Sequence, residues 1–116
     1  MKPLILINCK TYEGVSGEKG MLFARKIAGV KSARYEVAIA PPLLLLREVA
    51  QKVRIAVFAQ QVDCEEYGAH TGAIIPAEVR RAGARGVILN HSERRVSFDI
   101  LHRSVEICRR EGLEVV

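Results

Sequence analysis

Short apolar runs alternate along the chain with segments in which apolar residues recur every three or four positions. The runs cover residues 4–7, 36–40, 55–59 and 87–89, and a further one begins at Leu113. Runs of this length are typical of strands. The first run is continuously aliphatic, which predicts a strand buried on both faces. Five strand starts therefore fall near residues 4, 36, 55, 87 and 113.

The segments between these runs have the periodicity of amphipathic helices. A first helix is predicted over residues 17–28, and a second follows Pro41-Pro42. Their apolar faces consist of Phe23, Ala24, Ile27 and Ala28 in the first and of Leu46, Val49, Ala50 and Val53 in the second. A short third helix is predicted between Pro76 and Gly83, because proline suits the first turn of a helix and glycine suits its C-terminal cap.

The last helix is predicted to start after Ser97, a favoured N-terminal capping residue, and to run to Glu111 with Gly112 after it. Its expected buried stripe consists of Leu101, Val105 and Cys108. Strands that alternate with helices indicate an α/β fold built from right-handed βαβ units around a parallel sheet. Periodicity alone leaves two such folds open, a doubly wound sheet and a (β/α)8 barrel.

Composition narrows the classes of partner. Among 116 residues, 18 are lysine or arginine and 13 are aspartate or glutamate, so the net charge is +5. Such a charge suits either nucleic acid or a small anionic substrate. The chain has no tryptophan, and its three tyrosines and three phenylalanines are scattered. A base-stacking surface needs clustered aromatic residues, so we expect no nucleic-acid partner.

The cellular compartment and the state of the cysteines can be predicted from sequence features that the chain lacks. No apolar stretch approaches the roughly 20 residues of a membrane span, and the N-terminal run is too short for a signal peptide. We therefore expect a cytoplasmic protein with no membrane partner. Cys9, Cys64 and Cys108 have neither the spacing of a metal site nor a Cys-x-x-Cys pair. They are expected to be reduced thiols, and no metal or cofactor is expected.

Polar residues collect at the carboxyl ends of the predicted strands, where parallel α/β folds place their reactive groups. The first strand runs into Asn8, Cys9 and Lys10. Because strand side chains alternate, Asn8 and Lys10 are expected to share a cavity while Cys9 packs towards the helices. The third strand runs into Gln60-Gln61, and the fourth runs into residues 90–95.

His91 is the most informative residue of the fourth strand end. A polar turn follows it, and we expect this turn to begin helically. The positive end of a helical turn disfavours the imidazolium, so His91 is predicted to stay neutral and to donate a hydrogen bond. Glu93 is placed to pair with a lysine, and Lys10 is the candidate. On local pattern alone, a histidine and a salt bridge that merely finish a strand remain an open alternative.

Five motifs occur together along the chain. They are Asn8 to Lys10, Ala40 to Pro42, Ala59 to Asp63, Gly68 to Gly72, and Asn90 to Arg95. In order and spacing, over essentially the whole chain, they resemble triosephosphate isomerase, particularly its short archaeal form. The resemblance implies a TIM barrel, of which this chain is a single N-terminal portion covering the first four strand–helix units and the start of the fifth strand.

The resemblance implies an aldose–ketose isomerase that interconverts dihydroxyacetone phosphate and glyceraldehyde 3-phosphate through an enediolate, in glycolysis and gluconeogenesis. In that reaction, Lys10 would face the developing negative charge and Asn8 would help to position the substrate. His91 would be the neutral electrophile that polarises the carbonyl and shuttles protons. Glu93 would hold Lys10 or join the proton relay. This mechanism comes with the family and not with the spacing of the residues.

The resemblance also implies partners. Thr71, in the long loop after the third strand, would buttress the Asn and Glu of a partner subunit in a homodimer or homotetramer. Gly68 and Gly72 fit a tight protruding loop of this kind, although a surface loop with no partner is the alternative. His70 and His102 carry no functional signal and are expected to be exposed or satisfied.

Essential parts of the family's site are absent from residues 1–116. The resemblance implies a catalytic glutamate after the sixth strand and phosphate-binding backbone in later loops. Half a barrel also exposes two strand edges, so we expect a complementary half-chain, a homo-oligomer or a rearranged sandwich. The isolated chain is therefore expected to have negligible isomerase activity.

Two other functions stay open at this point. The first is a non-catalytic half-barrel assembly module, a pseudoenzyme, which independent expression as a stable homodimer would favour. The second is a basic α/β domain that binds nucleic acid, which a steep salt dependence of filter binding would reveal.

Overall fold

Five strands and four α-helices alternate along the chain. In the computed structural model, which describes residues 1–116, the strands are β1 (Leu4–Asn8), β2 (Glu36–Ala40), β3 (Ala56–Ala59), β4 (Gly86–Val87) and β5 (Glu114–Val115). The helices are α1 (Gly17–Ala28), α2 (Leu43–Lys52), α3 (Pro76–Arg81) and α4 (Phe98–Arg110). A short 3-10 helix, Glu13–Val15, precedes α1. Each strand and α-helix lies within a few residues of the position that the hydrophobic pattern predicts.

The strand order separates the two folds that periodicity left open. The five strands form one sheet in the order β1-β2-β3-β4-β5, and each is parallel to the next. A doubly wound sheet reverses its direction of growth at a switch point, whereas here each strand is added on the same side of its predecessor. Right-handed crossovers then place every helix on one face of the sheet. This is the winding of a barrel, and five strands make a half-barrel.

The core has two layers, one on each face of the sheet. The layer under the helices joins strand residues to helix residues, among them Ile39, Val57, Val87, Met21, Ala24, Leu46, Val49 and Cys108. The inner layer is smaller and contains residues in or next to the strands alone: Ala38, Ala40, Phe58 and Ile88, with Leu4, Leu6 and Ala56 packed against them. The helices therefore cover the outer face, and the inner face is lined by strand side chains only.

The expectation that the first strand is buried on both faces is wrong. Ile5 is 45% exposed, and the other residues of β1 are only partly buried. The reason is that β1 pairs with β2 alone, so no helix from a second neighbouring strand covers its outer face. The aliphatic run predicted the strand correctly, but its edge position depends on the sheet.

The buried stripe of α4 also differs from the prediction. Ser104, Ile107 and Cys108 are its buried residues, whereas Leu101 and Val105 are only partly buried. The Ser104 hydroxyl donates a hydrogen bond to the Ile100 carbonyl at 2.7 Å. This bond satisfies the hydroxyl within the helix itself, so a polar residue can occupy a core position that the pattern assigned to apolar neighbours.

The inner face leaves no room beside Gly86. A Cβ atom built at this position would press on the Phe58 ring and would lie 2.6 Å from the carbonyl oxygen of Glu114. The variant Gly86→Ala must therefore displace the ring or β5, and overpacking of this kind costs about 1–3 kcal/mol. We expect that loss in the free energy of unfolding, measured by urea denaturation. Gly14→Ala is the control, because no atom lies within 4 Å of its added Cβ; equal stability of the two variants would contradict this packing.

No helix of the chain combines the length and the apolar character needed to span a bilayer.

Candidate active site

A cavity of about 350 Å³ opens where the carboxyl ends of the strands meet. Its walls are formed by Asn8, Lys10, Thr11, Tyr12, Gln60, His91, Glu93 and Arg94. These residues come from the end of β1, the end of β3 and the segment after β4. Parallel strands bring their carboxyl ends to one edge of the sheet, and this places Asn8, Lys10, His91 and Glu93 together, as the sequence analysis expected of Asn8 and Lys10.

Lys10 is held at three points. Its backbone N–H donates to the Asn8 Oδ1 atom at 2.9 Å, and its carbonyl accepts from the Gln60 Nε2 atom at 2.8 Å. Its ammonium Nζ atom lies 3.2 Å from the Glu93 Oε1 atom. The residue has a φ of 51°, in the left-handed region that residues with a Cβ rarely adopt. Neighbouring polar side chains thus fix both the backbone and the charge of Lys10.

The Lys10–Glu93 ion pair is open to solvent. The two side chains are 39% and 56% exposed. Exposed pairs contribute only about 0–1 kcal/mol to stability, because water screens the charges. The pair is therefore a weak source of stability, and its clearer effect is to orient the ammonium group while leaving it accessible to an anion.

The His91 ring is placed by two contacts with Glu93. Its Nδ1 atom accepts a hydrogen bond from the backbone N–H of Glu93 at 3.1 Å. A ring nitrogen that accepts carries no proton, so the hydrogen-bond network assigns the ring hydrogen to Nε2. The Glu93 Oε2 atom lies 3.5 Å from the same Nδ1 atom, a contact that would suit a protonated ring. The contact with the Glu93 N–H is the shorter of the two.

The segment after His91 is a turn and not the start of a helix, which corrects the sequence prediction. The Arg94 N–H donates to the His91 carbonyl at 2.8 Å, and α4 begins only at Phe98. His91 is therefore not followed by the helical turn on which its predicted neutrality was based. The group that donates to the His91 ring is instead the backbone N–H of Glu93.

Thr71 lies apart from Asn8 and Lys10. It is exposed in the long loop after β3, and it borders a second, larger groove of about 830 Å³. His91 and Glu93 line both spaces, so the groove adjoins the cavity. The structure thus brings together Asn8, Lys10, His91 and Glu93, and Thr71 lines the groove but not the cavity.

The long loop is anchored to the helices that follow it. The Tyr67 hydroxyl donates to Glu78 of α3 at 2.5 Å, and Glu66 pairs with Arg110 of α4. Within the loop, the Ile74 N–H donates to the Asp63 carboxylate at 2.7 Å. The loop is therefore tied to its own subunit at its base, while Thr71 at its tip stays exposed.

The two other histidines pair with neighbouring carboxylates at the surface. The His70 Nε2 atom lies 3.3 Å from Glu65, and the His102 Nε2 atom lies 3.4 Å from Glu106. Neither borders the cavity that holds Lys10. Both side chains are exposed, as the sequence analysis expected.

The buried thiols are poor nucleophiles. Burial raises the pKa of Cys9, and burial together with the nearby Cys64 raises the pKa of Cys108 to about 11. Both thiols are therefore protonated at neutral pH, and a protonated thiol is unreactive. Cys9 packs in the layer under the helices, away from the cavity. No group of three or more His, Cys, Asp or Glu side chains is arranged to hold a metal ion.

Gln60 is one of the polar residues of this site to which sequence reasoning assigned no role, together with Thr11, Tyr12 and Arg94. Its position directly after β3 was noted, but nothing in the local pattern shows which groups its amide would reach. The structure shows its Nε2 atom between the carbonyls of Lys10 and Ala40.

Comparison with known proteins supports the resemblance to triosephosphate isomerase over nearly the whole chain. The family model of triosephosphate isomerase matches residues 3–116. The chain is 44% identical over 115 residues to the triosephosphate isomerase of Sulfurisphaera tokodaii and 40% identical over 115 residues to that of Methanoculleus marisnigri. Each alignment covers 98% of this chain, and they cover 50% and 52% of those proteins.

Solved structures agree with the sequence relatives. The crystal structure of triosephosphate isomerase from Bartonella henselae has a TM-score of 0.80 and 29% sequence identity to this chain. The match covers 99% of this chain and 50% of that one. The chain thus spans about half the length of the relatives it matches, and its half-barrel corresponds to half of a TIM barrel. Family model, relatives and fold together show that the chain belongs to the triosephosphate isomerase family.

Proposed function

We propose that this chain supplies one half of a triosephosphate isomerase active site. The reaction is the interconversion of dihydroxyacetone phosphate and glyceraldehyde 3-phosphate by enediolate proton transfer, in the cytoplasm, as part of glycolysis and gluconeogenesis. One observation carries the proposal: a cation, Lys10, and an imidazole, His91, line the same cavity at the carboxyl ends of the strands. For an anionic substrate with a carbonyl group, the cation can stabilise negative charge and the imidazole can polarise the carbonyl.

Each side chain has a role that its contacts permit. The Lys10 ammonium faces the negative charge that develops on the enediolate, where a fixed charge stabilises the transition state. Asn8 uses its Oδ1 atom on the Lys10 N–H, which leaves its NH2 group to donate to a substrate oxygen. The Nε2 hydrogen of His91 polarises the carbonyl, and Glu93 orients Lys10 through the 3.2 Å pair.

The remaining parts of the site come from outside residues 1–116. By the family resemblance, these are the catalytic glutamate and the phosphate-binding backbone of the second half of the barrel. A complementary half-chain would pair with the edges of the sheet, which β1 and β5 form. Thr71 is proposed to contact a second subunit in a homo-oligomer, because its exposed position beside the groove makes it reachable. We propose no cofactor and no nucleic-acid or membrane partner.

A complementation assay tests this function. The chain is assayed alone and after co-expression with the second half of an archaeal relative, starting after the residue aligned with Val116, in a coupled assay of triose phosphate isomerisation. We expect no turnover above the blank for either half alone and clear turnover for the pair. Turnover by the lone chain near that of a complete enzyme would refute the split site.

The same assay addresses the alternative of a non-catalytic assembly module. If no second half restores activity while the chain forms a stable homodimer, the module is correct and the enzymatic proposal is wrong. Size-exclusion chromatography with light scattering on the lone chain supplies the second measurement.

A further inference from the structure

The Gln60 side chain connects the ends of three strands. It follows β3 directly, and its Nε2 atom donates to the Lys10 carbonyl at 2.8 Å and to the Ala40 carbonyl at 3.1 Å. An amide NH2 group has two hydrogens, so both are used on backbone oxygens. The Ala40 carbonyl also accepts the Cys9 N–H at 3.0 Å. The amide therefore ties the residues after β1 to the ends of β2 and β3.

Lys10 needs such a tie because of its backbone conformation. Its φ of 51° is disfavoured for a residue with a Cβ, and such conformations persist only where the surroundings hold them. Asn8 holds the peptide group before the Lys10 α-carbon, and Gln60 holds the peptide group after it. Loss of the Gln60 donor would release the Lys10 carbonyl. The Lys10 backbone would then relax, and the Lys10 side chain would point in a different direction.

We propose that Gln60 is a positioning residue that aims the Lys10 ammonium at the substrate by holding the left-handed backbone of Lys10. Its own amide hydrogens are occupied by carbonyl oxygens, so it acts through Lys10 and not on the reacting atoms. The predicted effect on kinetics rests on the proposed isomerase function, whereas the predicted effect on the Lys10 backbone conformation does not.

Kinetics of the completed enzyme, formed with the second half of an archaeal relative, test the first consequence. Gln60→Met removes both donors, and we expect kcat/KM to fall about tenfold to a hundredfold with a raised KM, since misplacing a catalytic group costs rates of this order. Gln61→Met is the control, because Gln61 is the next residue in the chain and lines the adjoining groove but not the cavity that holds Lys10. Equal kcat/KM values for the two variants would overturn the proposal.

A double substitution separates positioning from a merely structural role. If Gln60 acts through Lys10, adding Gln60→Met to Lys10→Met should lower kcat/KM by less than about twofold further, because coupled residues are non-additive. Independent, multiplicative losses would overturn the proposal. Gln60→Glu is the second variant if Gln60→Met does not fold, since it keeps the side-chain shape while its carboxylate cannot donate.

NMR of this chain tests the backbone consequence without any enzymatic readout. A left-handed φ brings the amide proton and Hα of Lys10 unusually close, which gives a strong intraresidue NOE. We expect this NOE to weaken in Gln60→Met or Gln60→Glu and to persist in Gln61→Met. Persistence in all variants would overturn the proposal. If the unsubstituted completed protein has no isomerase activity, the proposed function fails, and the NOE still decides the role of Gln60.

Discussion

His91→Gln in the completed enzyme is expected to lower kcat by about 10²- to 10⁴-fold, the range that general acid–base groups contribute, with a much smaller change in KM. Glutamine can still donate a hydrogen bond from its amide, but it cannot pass a proton between two oxygens as a neutral imidazole can. The Glu93 N–H donates to the Nδ1 atom, an arrangement that fits the tautomer with the ring hydrogen on Nε2.

Steady-state kinetics in both directions of the reaction measure this loss. His102→Gln is the matched control, because that side chain pairs with Glu106 on the exposed face of α4 and lies outside the cavity. We expect the control to keep the parent values. If His91→Gln raised only the Michaelis constant and left kcat unchanged, His91 would be a binding residue and its assignment as electrophile would be wrong.

Lys10→Ala is expected to raise KM and to lower kcat, with kcat/KM falling about 10²- to 10³-fold or more. Loss of one preorganised electrostatic group from an active site has an effect of this order on catalysis alone. Lys10 and Arg94 are the two basic residues that line the cavity, so the anionic substrate also loses part of its electrostatic attraction. Both the ground state and the transition state are therefore affected.

Two measurements distinguish this loss from misfolding. Thermal unfolding should change little, because the Lys10–Glu93 pair is exposed and contributes only about 0–1 kcal/mol. Lys52→Ala provides the control, since Lys52 forms a similar exposed pair with Glu48 at 2.9 Å and does not line the cavity. Unimpaired kinetics in Lys10→Ala would show that this charge does not face the substrate.

Local patterns predicted the elements of this fold well because each pattern reflects the chain's own geometry. The second strand has the predicted bounds, Glu36–Ala40, and the first helix has the predicted bounds, Gly17–Ala28. Ser97 caps the last helix as expected, with its hydroxyl accepting the Ile100 N–H at 3.4 Å. Strand alternation, helix periodicity and capping all act over a few residues, so they can be read without knowing the rest of the molecule.

Burial and backbone detail were less predictable because they depend on neighbours. Ile5 is exposed since β1 is an edge strand, and Ser104 is buried since its hydroxyl bonds within α4. The turn after His91 looked like a helix start because its residues are polar. In the structure, one hydrogen bond from the Arg94 N–H closes this turn, and the helix begins only at Phe98. The residue pattern does not show this difference.

The sequence alone predicted the strands, the helices and the polar residues at the strand ends, because these patterns are local to the chain. Only the tertiary structure showed the strand order and what each polar group touches. Lys10 and Glu93 are 83 positions apart, and Gln60 and Lys10 are 50 apart. Contacts over such separations form only when the sheet has assembled. The left-handed backbone of Lys10 and the role inferred for Gln60 both depend on such an assembled strand end.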